Sequence, residues 1–145
     1  MPTNKKGPGI MVNLLIADKD AATRKRMADL FIEAGYDVTV TDSATKAIDG
    51  VLKKTAQVML LGTELDDVDS ALLVPLLKKC NRNLMIILIA DDTPLPVMRK
   101  VRKEGIFYHA LRPEEPEDDE EIREAVKCAM QSLTRSSYAT RVGTH

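Results

Sequence analysis

Aromatic residues are scarce in this 145-residue chain: tryptophan is absent, and three tyrosines and two phenylalanines make up 3% of it. Modules that read single-stranded nucleic acid stack bases on aromatic rings, so direct nucleic-acid binding is set aside. Only two cysteines are present, Cys80 and Cys128, 48 positions apart and in no zinc-ligand spacing. That excludes a disulfide-framed secreted domain and a zinc module. Two reduced thiols in a cytoplasmic protein are expected instead. Long apolar runs are missing as well. The longest, residues 84–90, has seven residues, against the roughly 20 that a membrane-spanning helix requires. The start, MPTNKKGPGIM, has two lysines but no apolar stretch behind them of the kind a secretory signal carries.

A net charge of one sign is also lacking. Twenty-one Lys and Arg stand against 22 Asp and Glu, a formal −1. The balance is uneven along the chain, because residues 114–121 (EEPEDDEE) hold seven acids. Removing those seven from a net −1 leaves +6 for everything else. The sum excludes a uniformly polybasic or polyacidic chain, and its distribution matters more than its value.

What is present is alternation. Short apolar runs occur at residues 14–17 (LLIA), 38–41 (VTVT), 58–61 (VMLL), 85–90 (MIILIA) and 109–111 (HAL). Continuously apolar runs are what strands covered on both faces look like, whereas VTVT alternates and reads as an edge strand. Between them, apolar residues recur at helical spacing: Met27, Leu30, Phe31 and Ala34, closed by Gly35; Ala44, Ala47, Ile48, Val51 and Leu52, behind Asp42 and Ser43 as a start signal; and Leu72, Leu73, Leu76, Leu77 and Cys80. A shorter stretch holds Val97, Met98 and Val101 and stops at Gly105. The last holds Ile122, Ala125, Val126, Ala129 and Leu133. Pro75 falls inside the third stretch and is expected to delay its start or kink it.

This is an α/β pattern, (βα)5. Right-handed crossovers then require a doubly wound five-stranded parallel sheet with helices on both faces. Residues 1–11 and 135–145 lack periodicity and read as tails, the second as an ordinary end or the start of a linker. Residues 12–134 form the domain. In such sheets the site lies beyond the carboxyl ends of the strands, here in loops 18–22, 62–70, 90–94 and 111–113.

Those loops contain Asp18-Lys19-Asp20, then Gly62-Thr63-Glu64-Leu65-Asp66-Asp67-Val68-Asp69-Ser70, and finally Arg112-Pro113. With LLIAD, the GY after the first helical stretch, DDVDSALL and EG-x6-RP, they resemble the receiver domain of two-component response regulators, the CheY-like fold. The resemblance covers residues 12–134 and implies a flavodoxin-like strand order of 2-1-3-4-5. It also implies phosphoryl transfer to an aspartate ending the third strand, next to a Mg²⁺ held by acids after the first, with hydroxyl and ammonium groups on the phosphoryl oxygens.

Residue by residue, this chain departs from that pattern. Asp18 fills the first acidic position, but Lys19 fills the second. Gly62 stands at the nucleophile position, Ile89 at the hydroxyl position, Arg112 at the lysine position and His109 at the aromatic position. Glu64 shares the parity of Gly62 and is the neighbour able to reach back, whereas Thr63 points to the opposite face. With Lys19 in place of a ligand, a dication would meet a fixed ammonium at a cost of about several kcal/mol. The resemblance therefore implies a non-enzymatic pseudo-receiver without cofactor, acting by protein contacts with a kinase, output domain or signalling protein. Two arrangements of Lys19 are open: an internal cation pairing with Asp18 and Glu64 and joined by Arg112, or an ammonium extended into solvent. Two other functional readings also stand: phosphorylation or metal binding through Asp18 or Glu64, and a nucleotide- or flavin-binding protein of the same architecture. The third lacks a Gly-rich phosphate loop after the first strand, where KDAATRK stands.

Further from the pocket, Arg99, Lys100, Arg102 and Lys103 make the fourth helical stretch basic, and either a docking face or a solvated helix face accounts for them. The acidic run suits the amino end of the last helix, where the macrodipole favours carboxylates. A basic helix beside an acidic one across the fifth strand is the setting for a homodimer. His109 is either a switch residue or a structural histidine. The last apolar stripe ends at Leu133, leaving twelve residues, too few for an output module. The receiver surface is thus the expected site of any output within this sequence.

Overall fold

A computed structural model describes residues 13–90, 99, 102–103 and 105–142, with side chains through 133. Its central sheet is built from β1 (Asn13–Ala17), β2 (Asp37–Thr41), β3 (Val58–Gly62), β6 (Met85–Ala90) and β7 (Tyr108–Leu111). A two-stranded hairpin, β4 (Glu64–Leu65) and β5 (Val68–Asp69), follows β3. The helices are α1 (Ala21–Glu33), α2 (Ala44–Leu52), α3 (Ser70–Cys80) and α4 (Pro116–Val142). The sheet order is β2-β1-β3-β6-β7, all parallel. This is the expected flavodoxin-like order.

The three central strands are those whose runs are apolar throughout, and β3 is buried at every position. Their alternate residues feed two cores. Leu15, Met59, Leu61, Ile86 and Leu88 face one layer, with Ala47 and Val51 of α2 and Leu73, Val74 and Leu77 of α3. Leu14, Ile16, Leu60, Ile87 and Ile89 face the other, with Met27 and Phe31 of α1 and Ile122, Val126 and Ala129 of α4. Burial of such side chains contributes roughly 1.5–3 kcal/mol each, which makes this double core the main source of stability. The alternating run became edge strand β2, with Thr39 and Val40 exposed.

Sequence signals also set the helix ends. Asp20 caps α1 and Ser43 caps α2, each accepting a hydrogen bond from a backbone N–H three residues on. After α1 the chain turns at Gly35, whose φ of +94° suits a residue without Cβ. Three expectations need correction or qualification. Pro75 does not delay α3, which starts five residues earlier at Ser70 under the Asp69 cap. The last helix does not stop where its apolar stripe does: its backbone continues to Val142, so most of the stretch read as a tail is helical. The fourth helical stretch lies largely outside the described residues, although Arg99, Arg102 and Lys103 are helical within it.

The hairpin has no counterpart among the sequence expectations. Its two turn residues, Asp66 and Asp67, both have positive φ, 54° and 61°, the backbone of a type I′ turn that favours Asn-Gly or Asp-Gly. Asp66 Oδ2 accepts the Ala44 N–H at 2.7 Å, tying the turn to the start of α2. Asp67 has no such task. Asp67→Gly is expected to raise stability by about 0.5–1 kcal/mol by relieving a left-handed non-glycine residue, read as a higher urea midpoint with unchanged slope.

Candidate functional site

The carboxyl ends of β1, β3 and β6 meet at one spot. Continuing the register that aligns Ile16 with Leu60 and Ala17 with Leu61 sets Asp18 beside Gly62, and Gly62 aligns with Ile89. The parity of the strands puts all three on the α1–α4 side of the sheet. Asp18 is 1% exposed and Ile89 fully buried. The Asp18 carboxylate lies across Gly62: a Cβ at that glycine would stand 2.7 Å from Asp18 Oδ2 and 2.9 Å from Cγ. Both distances are below contact, so only glycine fits beneath this side chain as it stands.

Asp18 is poorly compensated for its burial. Its Oδ1 accepts the Asp20 N–H at 2.9 Å, and Arg112 Nη1 stands 4.0 Å away. Its Oδ2 is buried without a hydrogen-bond partner. Burial pushes the carboxyl pKa above its ordinary value, with the Asp20 N–H and the Arg112 charge working against that shift.

Lys19 lies elsewhere. Successive residues at a strand end point to opposite sides, so where Asp18 turns inward Lys19 turns outward. Its side chain is 60% exposed and its Nζ sits 2.5 Å from Glu64 Oε1. That hydrogen bond raises the lysine pKa. Lys19 thus pairs with Glu64 and not with Asp18: the ammonium is at the exposed rim, and among the described residues the cation nearest the Asp18 carboxylate is Arg112. Glu64 is set by β4, and the hairpin that carries it is pinned at Asp66.

Arg112 is directed towards α1. Its Nη1 donates to Thr23 Oγ1 at 2.9 Å and stands 3.9 Å from Asp20 Oδ2. Thr23 Oγ1 in turn donates to Asp20 Oδ2 at 2.6 Å. Asp20 holds its carboxyl below the ordinary range through these Thr23 contacts. Arg24 Nη1 donates to the Asp18 carbonyl oxygen at 2.7 Å. Asp20, Thr23 and Arg24 were not among the sequence candidates. The signal for the first two is the D-x-x-T spacing of a helix start, which sequence reading assigns to capping alone. The Arg112–Pro113 peptide is trans.

The acidic run is largely consumed within the molecule. Asp118 Oδ2 accepts the N–H groups of Glu114 and Glu115 at 3.0 and 2.9 Å, which lowers its pKa. Asp119 forms a two-bond bridge to Arg26, both at 2.9 Å, joining α4 to α1. Glu120 pairs with Arg123, and Glu121 accepts the Tyr108 hydroxyl at 2.8 Å. Among the basic candidates, Arg99, Arg102 and Lys103 are exposed; Lys100 lies outside the described residues.

His109 is half-buried in β7, and its Nε2 is buried without a hydrogen-bond partner. Burial, then the Arg102 charge, lower its pKa. The folded state thus binds this proton more weakly than the unfolded chain, and stability falls as pH drops below the ordinary histidine value of 6.5. His109→Leu is expected to remove that part of the acid-side loss, seen as a flatter urea midpoint between pH 6.5 and 5.

No helix among the described residues is long and apolar enough to cross a membrane. Comparison with known proteins agrees with the geometry. Residues 14–127 match the family pattern described as the response regulator receiver domain. Sporulation initiation phosphotransferase F of Bacillus subtilis is 25% identical over 114 residues, 79% of this chain and 90% of that protein. Among solved structures, the signal receiver domain of an HD domain-containing protein from Pseudomonas fluorescens superposes with a TM-score of 0.78 at 19% identity, covering 87% of this chain and 99% of that one. A CheY-like receiver domain protein from Methanospirillum hungatei gives 0.73 at 18%, covering 85% and 99%. With four-fifths of its length matched by that pattern and the strand order to go with it, the chain belongs to the response regulator receiver domain family.

Proposed function

We propose that this receiver is a pseudo-receiver, which signals through protein contacts without taking a phosphoryl group on aspartate. One observation carries the reading: at the end of β3, where receivers resembling this one keep their nucleophile, Gly62 offers no side chain and the Asp18 carboxylate lies over it. Phosphoryl transfer needs a carboxylate oxygen free to attack phosphorus in line with the leaving group. Asp18 is 1% exposed and Glu64 is tied to Lys19.

A divalent cation fits these residues poorly. It wants a nest of several oxygen ligands, and among the described residues no three carboxylate, histidine or cysteine side chains are grouped to supply one. The Lys19 ammonium stands on the Glu64 carboxylate. Ile89 has no hydroxyl to sense a phosphoryl oxygen. The reading therefore requires neither metal nor cofactor, and it places output on the domain surface, toward a kinase, output domain or signalling protein in the cytoplasm. A homodimer across the β7–α4 face, where Tyr108 and Leu111 are 40% and 49% exposed, belongs to the same reading. A strictly monomeric mass by light scattering at high concentration would remove it.

The test is intact-mass spectrometry after incubation with acetyl phosphate and Mg²⁺. The expected result is no phosphoryl adduct, whereas an acid-stable, hydroxylamine-sensitive adduct would overturn the proposal.

A further inference from the structure

All helices of this fold run against the strands, so their carboxyl ends gather at the amino edge of the sheet, the end opposite Asp18 and Gly62. There α2 and α3 pack side by side. Lys78 ties the end of α3 to the next turn, its Nζ donating to the Arg82 and Leu84 carbonyls at 2.8 Å each. Its Cε would lie 3.2 Å from a Cβ at Gly105, which brings that glycine, bonded through its N–H to the Arg102 carbonyl at 3.1 Å, against the same spot. Three segments thus converge, and they carry the exposed cations Lys54, Lys79, Arg82 and Lys103. Lys53 nearby is matched by Asp49 at 3.1 Å; among the described residues the other four form no ion pair.

A helix dipole explains cations at helix ends. It does not explain the leucines above them. On the outer face of α3, Leu72 is 64% exposed and Leu76, one turn on, is 45% exposed, with the exposed Lys79 beside the ridge seven residues on from Leu72. Residues at i and i+4 form the ridge that seats in the groove of another helix. An apolar ridge running into unpaired cations is complementary to a helix with leucines on one face and carboxylates beside them.

We propose that the α3 ridge and the basic foot below it form a docking surface for an acidic, leucine-bearing helix of a partner protein. Nucleic acid is the poorer match, because leucine offers no stacking surface and no tyrosine or phenylalanine is present on α2 or α3. The basic foot lies at the opposite end of the sheet from the pocket, the leucine ridge runs along the outside of α3 between the two edges, and the surface stands whether or not the pocket takes a phosphoryl group.

The probe is a fluorescein-labelled, stapled helical peptide with leucines at i, i+4 and i+7 flanked by glutamates, followed by anisotropy against the full chain. Saturable binding that weakens with salt is expected. Lys79→Glu/Arg82→Glu and, separately, Leu72→Ser/Leu76→Ser should each weaken it by about tenfold or more. Lys127→Glu, on α4 across the sheet, should leave it unchanged. All the substituted side chains on α3 are exposed, and unchanged circular dichroism melts verify that the variants fold. Absence of saturable binding overturns the proposal. So does insensitivity to the leucine substitutions, which would mean charge alone. Tighter binding of single-stranded RNA or of phosphatidylserine vesicles at the same foot would equally overturn it.

Discussion

Gly62→Asp, the substitution that puts an aspartate where receivers keep one, is expected to destabilise this protein and not to make it phosphorylatable. The new Cβ would sit 2.7 Å from Asp18 Oδ2, and its carboxylate would enter a space already holding a buried, incompletely paired one. Two carboxylates at such separation do not both ionise, and moving Asp18 aside breaks its bond from the Asp20 N–H. An unpaired buried charge of this kind costs about 3–5 kcal/mol at neutral pH, a melting-temperature loss on the order of 10 °C or more. Lys19 is the second obstacle, since its ammonium opposes any divalent cation that would relieve the repulsion. Gly62→Asp/Lys19→Asp should therefore differ from the single variant in one respect: Mg²⁺ should stabilise it saturably in thermal melts. A single variant as stable as the parent and labelled by acetyl phosphate would contradict this account of the pocket.

Asp18→Asn is expected to do the reverse and stabilise. Asparagine keeps the Oδ1 acceptor for the Asp20 N–H and nearly the same shape, while removing a charge that is 1% exposed and whose Oδ2 has no partner. Two effects compete, the burial cost of the carboxylate and its attraction to Arg112 at 4.0 Å. Burial is the larger, because the carboxyl pKa is raised on balance. The folded state then holds the proton more tightly than the unfolded chain, so parent stability falls as pH rises from 3.8 through the raised value. The gain from Asp18→Asn should be absent below that window and full above it, about 1–3 kcal/mol at pH 7. Urea unfolding across pH measures it. A variant less stable than the parent at pH 7 would mean that the Arg112 attraction dominates.

Continuous apolar runs made β1, β3 and β6 legible in the sequence, and alternation identified β2 as an edge, because burial on two faces or one leaves different periods. The helices on both sides followed from their stripes, with Ser43 and Gly35 marking two of their ends. The β4–β5 hairpin was not legible: Asp66-Asp67 lacks the glycine that advertises a type I′ turn, and what holds Asp66 there is the Ala44 N–H, 22 residues away. The continuation of α4 beyond Leu133 was missed because a helix can persist on backbone hydrogen bonds without the apolar stripe that periodicity detects.

Within the pocket, parity put Asp18, Gly62 and Glu64 at one end of the sheet. Periodicity does not give side-chain direction beyond a strand end. Lys19 turned to the rim with Glu64, and Arg112 turned to Thr23 and Asp20, whose role as a cap concealed their part in the same network. The acidic run, conspicuous as a charge block, proved to be mostly capping and bridging through Asp118, Asp119, Glu120 and Glu121.

The central claim is that this pocket does not take a phosphoryl group, and amide NMR during titration with Mg²⁺ and beryllofluoride tests it most directly. The account predicts that the resonances of Asp18, Gly62, Glu64 and Ile89 stay where they are at saturating reagent; saturable shifts centred on Asp18 and Glu64 would contradict it.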